Sequence, residues 1–258
     1  MCTCLLSFDP AAPVPVLAAG VRDEYVDRAW DPPAAHWPDH PGLIGGRDRL
    51  AGGTWLAVNP AERRLGVILN GCGVDAPVEG RLSRGDLPLR VAAHGDLGPL
   101  DPSRFDPFHL ICAEPDKVRL WTWTGLDLTD RWLEPGFHLV VNTGLDATCP
   151  GPSAIPESAL EGIRSRLAHF RPLLESTPRP TPTPSTSPAE AWGPWLPLAD
   201  GANLPLSDPR ALVHRHPTPD NRVFGTTSIS LVALSHNTLR YDFTPTPGTP
   251  TAWHRVLP

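Results

Sequence analysis

The second residue of the chain is a cysteine, and position 2 has chemistry that no later position shares. Methionine aminopeptidases remove Met1 when the next side chain is small, so the mature chain is expected to begin with a thiol beside a free α-amine. A thiol with a pKa near 8.5 and an amine near 7.7–8.0 are well matched, so the amine can take the thiol proton as sulfur attacks a carbonyl. Nucleophile and base would both come from Cys2. Cys4 would share a strand face with Cys2, a spacing open to a redox or metal pair, but free cysteine is among the most buried residue types and a core position is expected. His214 and His216 repeat that spacing, and His254 can be set beside them. No cysteine or carboxylate motif accompanies them, so no metal site is assigned. Trp121 and Trp123, also two apart, are expected to pack on a sheet or line a groove.

Composition narrows the setting for that chemistry. The 258 residues carry 34 prolines and 22 glycines, yet 40% hydrophobic content is enough for one globular domain over residues 1–258. A net charge of −6 and a pI near 5.9 with no basic stripe argue against a nucleic-acid partner. The five cysteines, Cys2, Cys4, Cys72, Cys112 and Cys149, are odd in number and scattered, so all are expected to be reduced thiols. The opening MCTCLLSFDP has no positive leader region, and no apolar run approaches 18 residues, so a cytoplasmic protein without an integral membrane segment is expected.

The elements that would position Cys2 are mainly strands. Short apolar runs at Thr3–Phe8, Pro15–Ala19, Thr54–Val58, Leu65–Leu69, His109–Ala113 and Val118–Thr124 are separated by turn residues. Asn59–Glu62, Glu114–Lys117 and Ser235–Thr238 each predict a hairpin turn, so the sheet content is antiparallel. Leu160, Ile163, Leu167, Phe170 and Leu174 predict a helix over Pro156–Ser176, and a shorter one is expected around Asp208–His214. The Pro/Thr/Ser-rich tract at 177–188 fits neither helix nor ladder and is expected to be a linker or surface insertion.

Several segments carry a family resemblance. MCTCLLSFDP, Val21-Arg22-Asp23-Glu24, Gly45-Gly46-Arg47-Asp48, Gly52-Gly53-Thr54-Trp55, Ile68-Leu69-Asn70, Val141-Asn142-Thr143-Gly144 and Phe224-Gly225-Thr226-Thr227-Ser228 together resemble the NRDE family, named after Transport and Golgi Organisation protein 2. The resemblance implies an α+β, N-terminal-nucleophile (Ntn) hydrolase-like αββα fold, two stacked antiparallel sheets between helical layers, distantly similar to the cholylglycine hydrolases. It implies catalytic roles for Cys2 as nucleophile, Arg22 as the cation favouring the thiolate, Asp23 or Glu24 as the partner of the α-amine, and Asn70 and Asn142 in the oxyanion hole and in orientation. Adjacent strand residues point to opposite faces, so Glu24 rather than Asp23 is expected to share the face of Arg22, and the choice between the two carboxylates stays open. An Arg22 surface ion pair with either is the alternative.

Two positions depart from the family pattern, Val21 in place of asparagine and Thr227 in place of arginine, and either change can take a polar group from the site. The expected function is an N-terminal-cysteine amidohydrolase or acyl-transfer enzyme acting on a small amide or thioester. The alternative is a non-catalytic haem or hydrophobic-ligand trafficking protein, to which the family is linked and for which Cys149-Pro150 offers a thiolate in a loop. No cofactor is expected under the first reading.

Overall fold

In the computed structural model, which describes residues 2–148, 157–184 and 186–257, the first strand already shows what both of its faces are for. Along Thr3–Phe8 (β1), Cys4, Leu6 and Phe8 join one apolar cluster while Leu5 joins another. In Val16–Tyr25 (β2), Val16 and Ala18 take the first cluster and Leu17, Ala19 and Val21 the second. A sheet covered on both faces has little need of polar alternation, which is why these segments read as apolar blocks.

The remaining strands are β3 (Trp30–Ala34), β4 (Ile44–Asp48), β5 (Leu56–Asn59), β6 (Arg64–Asn70), β7 (Phe108–Glu114), β8 (Lys117–Trp123), β9 (Leu128–Trp132), β10 (Gly136–Val141), β11 (Gly144–Leu145), β12 (Arg215–Pro217), β13 (Val223–Leu234), β14 (Leu239–Thr244) and β15 (His254–Leu257). One sheet runs β11-β10-β1-β2-β13-β14-β15 with β12 on β13, and the other runs β3-β4-β5-β6-β7-β8-β9. Every pairing among the described residues is antiparallel. The two sheets stack through Leu6, Val16, Leu56, Val67, Leu120 and Phe243. Helix α1 (Leu87–His94) covers the outer face of the second sheet, where Leu87 and Val91 meet Ile68, Leu110, Trp121 and Trp123. Helices α2 (Glu157–Ser176), α3 (Pro188–Trp192) and α4 (Trp195–Ala199) cover the first sheet through Ile163, Phe170, Trp192 and Trp195. The architecture is α+β, an αββα sandwich.

The three expected hairpins form, as β5–β6, β7–β8 and β13–β14. Strand β2 runs six residues beyond Ala19, because Gly20–Tyr25 stays bonded to β13 even though Arg22, Asp23 and Glu24 are charged. No helix forms over Asp208–His214: Asp208 accepts from its near neighbour, the Arg210 amide (2.8 Å), and Arg166 of α2 takes the Ala211 carbonyl (2.9 Å). Local side-chain bonds of this kind compete with a helix for the backbone. The expectation that every cysteine is a free thiol is also corrected. Cys72 is disulfide-bonded, whereas Cys2, Cys4 and Cys112 are free. Among the described residues no helix is long and apolar enough to cross a membrane.

The proline-rich tract lies against the first sheet. Arg179 donates to Ser7 Oγ (3.0 Å) and to the Pro15 carbonyl (2.8 Å), and Pro180 and Pro182 are buried. Arg240 of β14 donates to the Thr183 carbonyl while its Nε pairs with Asp242 Oδ2 at 2.6 Å, and Trp192 Nε1 donates to the same carboxylate at 2.7 Å. Both Arg240 and Asp242 are essentially removed from water. Removing one partner of such a pair strands the other, so Asp242→Ala is expected to cost about 3–5 kcal/mol in urea unfolding and to open 177–184 to proteolysis.

Candidate active site

The ladder around β1 determines what surrounds Cys2. Thr3 pairs with Val141 on one side and Val21 on the other, so one residue earlier Cys2 stands between Asn142 and Arg22. The backbone nitrogen of Cys2 donates to Asn142 Oδ1 at 2.8 Å. Even-numbered residues of β1 and β2 face the space between the sheets, so the sulfur and the Arg22 guanidinium share a wall. The thiol lies 3.8 Å from the Asp23 carbonyl.

Arg22 is 4% exposed, and its charge is met from three segments. Thr227 sits at a bulge where β13 shifts register against β2. Its hydroxyl accepts from Arg22 Nη1 at 2.8 Å and donates to the Arg22 carbonyl at 3.2 Å. Asp48 Oδ2 is 3.4 Å from Nη2, and the Trp55 ring lies 4.4 Å beneath the guanidinium, a cation–π contact of about 0.5–2 kcal/mol. The glycine-rich motifs make this possible. A Cβ on Gly46 would fall 2.4 Å from the Trp55 ring, and Asp48 also accepts from Arg28 Nε (2.6 Å) and from the amides of Leu50 and Ala51. Burial lowers the Arg22 pKa while Glu24 and Asp48 act against that shift.

Asp23 points the other way, toward the helical layer. Its Oδ1 accepts from Thr226 Oγ1 at 2.8 Å, and its Oδ2 lies 3.3 Å from His214 Nε2 and 4.0 Å from Arg166 Nη1. Burial opposes its ionisation, but the positive N-terminus, His214 and Arg166 outweigh burial and hold the carboxyl below its ordinary pKa. Glu24 shares the face of Arg22 and lies 4.0 Å from it and 3.7 Å from Arg28. The opposite-face expectation for the two carboxylates therefore holds.

Cys2, Arg22, Glu24, Asp48 and Trp55, with Asn70 at the end of β6, wall an open cavity of about 420 Å³ between the sheets. Burial raises the Cys2 thiol pKa, and the positive N-terminus and Arg22 act to lower it. Cys4, on the same face one step inward, is fully buried and pushed up to about 12. Val21 packs in the helical-side cluster, so the loss of a polar side chain there takes nothing from the cavity. Thr227, the other departure, supplies the hydroxyl that orients Arg22. His214 and His216 stack at 5.4 Å, while His254 lies on Phe243 instead of beside them. Trp121 and Trp123 are packing residues beneath α1. Cys149-Pro150 lies outside the described residues.

Sequence reasoning gave no role to Asp48, Trp55, Thr226 or His109. His109 of β7 is buried; its Nε2 donates to the Asn142 carbonyl (3.3 Å) and its Nδ1 accepts from Thr122 Oγ1 (3.1 Å), so it ties the second sheet to the residue beside Cys2. A buried histidine with no charged partner leaves no mark in a single sequence. The glycines of the GGRD and GGTW motifs were the available signal for Asp48 and Trp55.

Residues 1–154 match the family model described as Transport and Golgi organisation 2. No curated protein matches the chain. Among solved structures the chain is similar to the mutant C2A conjugated bile acid hydrolase from Clostridium perfringens, at 10% identity and a TM-score of 0.50, over 100% of this chain and 92% of that one. That likeness is one of fold, the Ntn-hydrolase sandwich.

Burial depresses the His109 pKa from its ordinary 6.5 to about 4, so the stability contributed by its neutral form is complete above pH 6.5 and is lost as pH falls through about 4. The loss is on the order of 3 kcal/mol. Urea denaturation at pH 7 and pH 4.5 is expected to show a smaller acid loss for His109→Gln than for the unsubstituted chain.

Proposed function

Since the chain belongs to the Transport and Golgi organisation 2 family, we propose that it is an N-terminal-cysteine hydrolase or acyl-transfer enzyme for a small amide or thioester. The observation that carries this reading is the contrast between two thiols on one strand face. Cys4 is sealed, whereas Cys2 opens on the 420 Å³ cavity beside a buried guanidinium.

Removal of Met1 turns the Cys2 nitrogen into an α-amine at a position where Asn142 Oδ1 already accepts from it at 2.8 Å. The amine takes the thiol proton, Arg22 steadies the thiolate, and the ionised Asp23 supplies the countercharge for the ammonium. Sulfur then bonds to the carbonyl carbon, and the oxyanion is held by the side-chain N–H of Asn70. One such donor is worth about 2.7–4 kcal/mol. The tetrahedral adduct collapses, the C–N bond breaks, and the ammonium gives its proton to the departing nitrogen. For a thioester the C–S bond breaks in the same way. Water, deprotonated by the amine, adds to the enzyme thioester and releases a carboxylic acid and the Cys2 thiol. In the transfer variant another nucleophile replaces water. Proton transfer of this kind contributes about 10²–10⁴ in rate.

Intact-mass measurement after incubation with an activated aryl ester tests the reading. A single acyl adduct is expected on a chain beginning at Cys2, and none on Cys2→Ala; retained Met1, or an adduct confined to Cys112, counts against it. Because Arg22 acts to lower the thiol pKa, Arg22→Gln is expected to slow acylation at pH 7.5 by about tenfold and to move the rate midpoint to higher pH.

A further inference from the structure

Four guanidinium groups line the Cys2 cavity, those of Arg22, Arg28, Arg81 and Arg84, and three of them are already matched by carboxylates. Arg22 and Arg28 share Asp48 and Glu24. Arg81 pairs with Asp106 at 3.3 Å. Arg84 differs: its Nη1 donates to the Pro107 carbonyl at 2.7 Å, and among the described residues no carboxylate comes within ion-pair distance of it. A carbonyl accepts a hydrogen bond but does not neutralise a charge. A cation drawn partly out of water without a counter-ion is costly, and such a group persists where the surrounding structure fixes it.

The fixing structure is visible. The Ser83-Arg84-Gly85 turn is pressed onto the GGTW motif, with Thr54 N donating to the Gly85 carbonyl at 2.8 Å and Ser83 Oγ accepting from Gly85 N at 3.2 Å. A Cβ on Gly53 would lie 2.4 Å from the Gly85 carbonyl carbon, so only glycine lets the turn sit this close. The motif thus holds Trp55 under Arg22 and brings Arg84 to the same cavity wall.

We propose that Arg84 receives an anionic group, a carboxylate or a phosphate, on the molecule whose acyl carbon Cys2 attacks. The substrate is then a small amide or thioester that carries such a group at a distance from the scissile bond. The remaining N–H groups of the guanidinium form the planar fork that suits two-point binding of either oxyanion. Burial lowers the Arg84 pKa, and the charges that oppose this, Asp106, Asp75 and the Cys2 thiolate, act on it from beyond contact.

This inference rests on Cys2 as nucleophile, and two measurements separate the claims. The first is the ratio of Cys2 alkylation rates by iodoacetate and iodoacetamide, which differ in charge. Arg84→Gln is expected to lower that ratio at least about fivefold while leaving the iodoacetamide rate within about twofold, and Arg84→Lys to recover part of the loss. An unchanged ratio overturns the proposal. The second needs no reactive thiol: thermal unfolding is followed during titration with succinate or inorganic phosphate, with succinamide and matched sodium chloride as controls. The unsubstituted protein and Cys2→Ala are expected to gain stability with one of the two anions, and the larger shift identifies the group recognised. An equal gain in Arg84→Gln, or no gain in the unsubstituted protein, overturns the Arg84 assignment. Failure of both alkylating reagents at Cys2 overturns the nucleophile reading while the titration still decides the role of Arg84.

Discussion

A guanidinium withdrawn from water costs several kcal/mol unless its surroundings replace the lost hydration, and Arg22 is such a group. Its replacements come from distant parts of the chain: a hydroxyl on a bulge of β13, a carboxylate at the end of β4, and an indole just before β5. The first belongs to one sheet and the other two to the opposite one. Arg22 is therefore a charged joint between two sheets that otherwise meet mainly through apolar side chains, with the His109–Asn142 bond as a second polar tie. The bulge at Thr227 and the bare backbone at Gly46 both make sense as conditions for keeping that joint satisfied.

Strand β2 also acts as a partition. Arg22 and Glu24 face the cavity, while Asp23 is enclosed on the reverse side with Thr226, His214 and Arg166. A carboxylate enclosed in this way keeps its charge because fixed donors and cations surround it, and it exerts that charge through the sheet with little screening by solvent. Electrostatic influence and direct contact are thus assigned to different faces of one strand, one residue apart.

How much of this was legible beforehand depends on how local each signal is. β1, the three hairpins and α2 are visible because apolar spacing and turn residues are properties of short windows. Cys2 stood out through the chemistry of position 2, whereas Arg22, Asn70 and Asn142 were within reach only through the family resemblance that their segments carry. By contrast, α1 is short, carries a proline in its first turn and ends on Gly95 in the left-handed region, so its periodicity is too brief to register. Thr227 looked like a lost arginine, since nothing in one sequence reveals that a bulge will aim its hydroxyl at Arg22. His109 and His214 depend on contacts between residues far apart in the chain. The second carboxylate of the family motif was correctly placed on the opposite face from the first by strand alternation alone.

The tract at 177–188 has the composition of a disordered linker, yet its described part is tied down by Arg179 and Arg240. Its prolines explain how so few bonds suffice. Each fixes one backbone torsion before folding begins, so the unfolded chain has less freedom to surrender when the tract is laid along the sheet. A glycine- and serine-rich segment of equal length would lose more entropy on docking and would need a larger buried surface to stay in place. Stiffness inherited from the unfolded state here takes over work that contacts do elsewhere in the molecule.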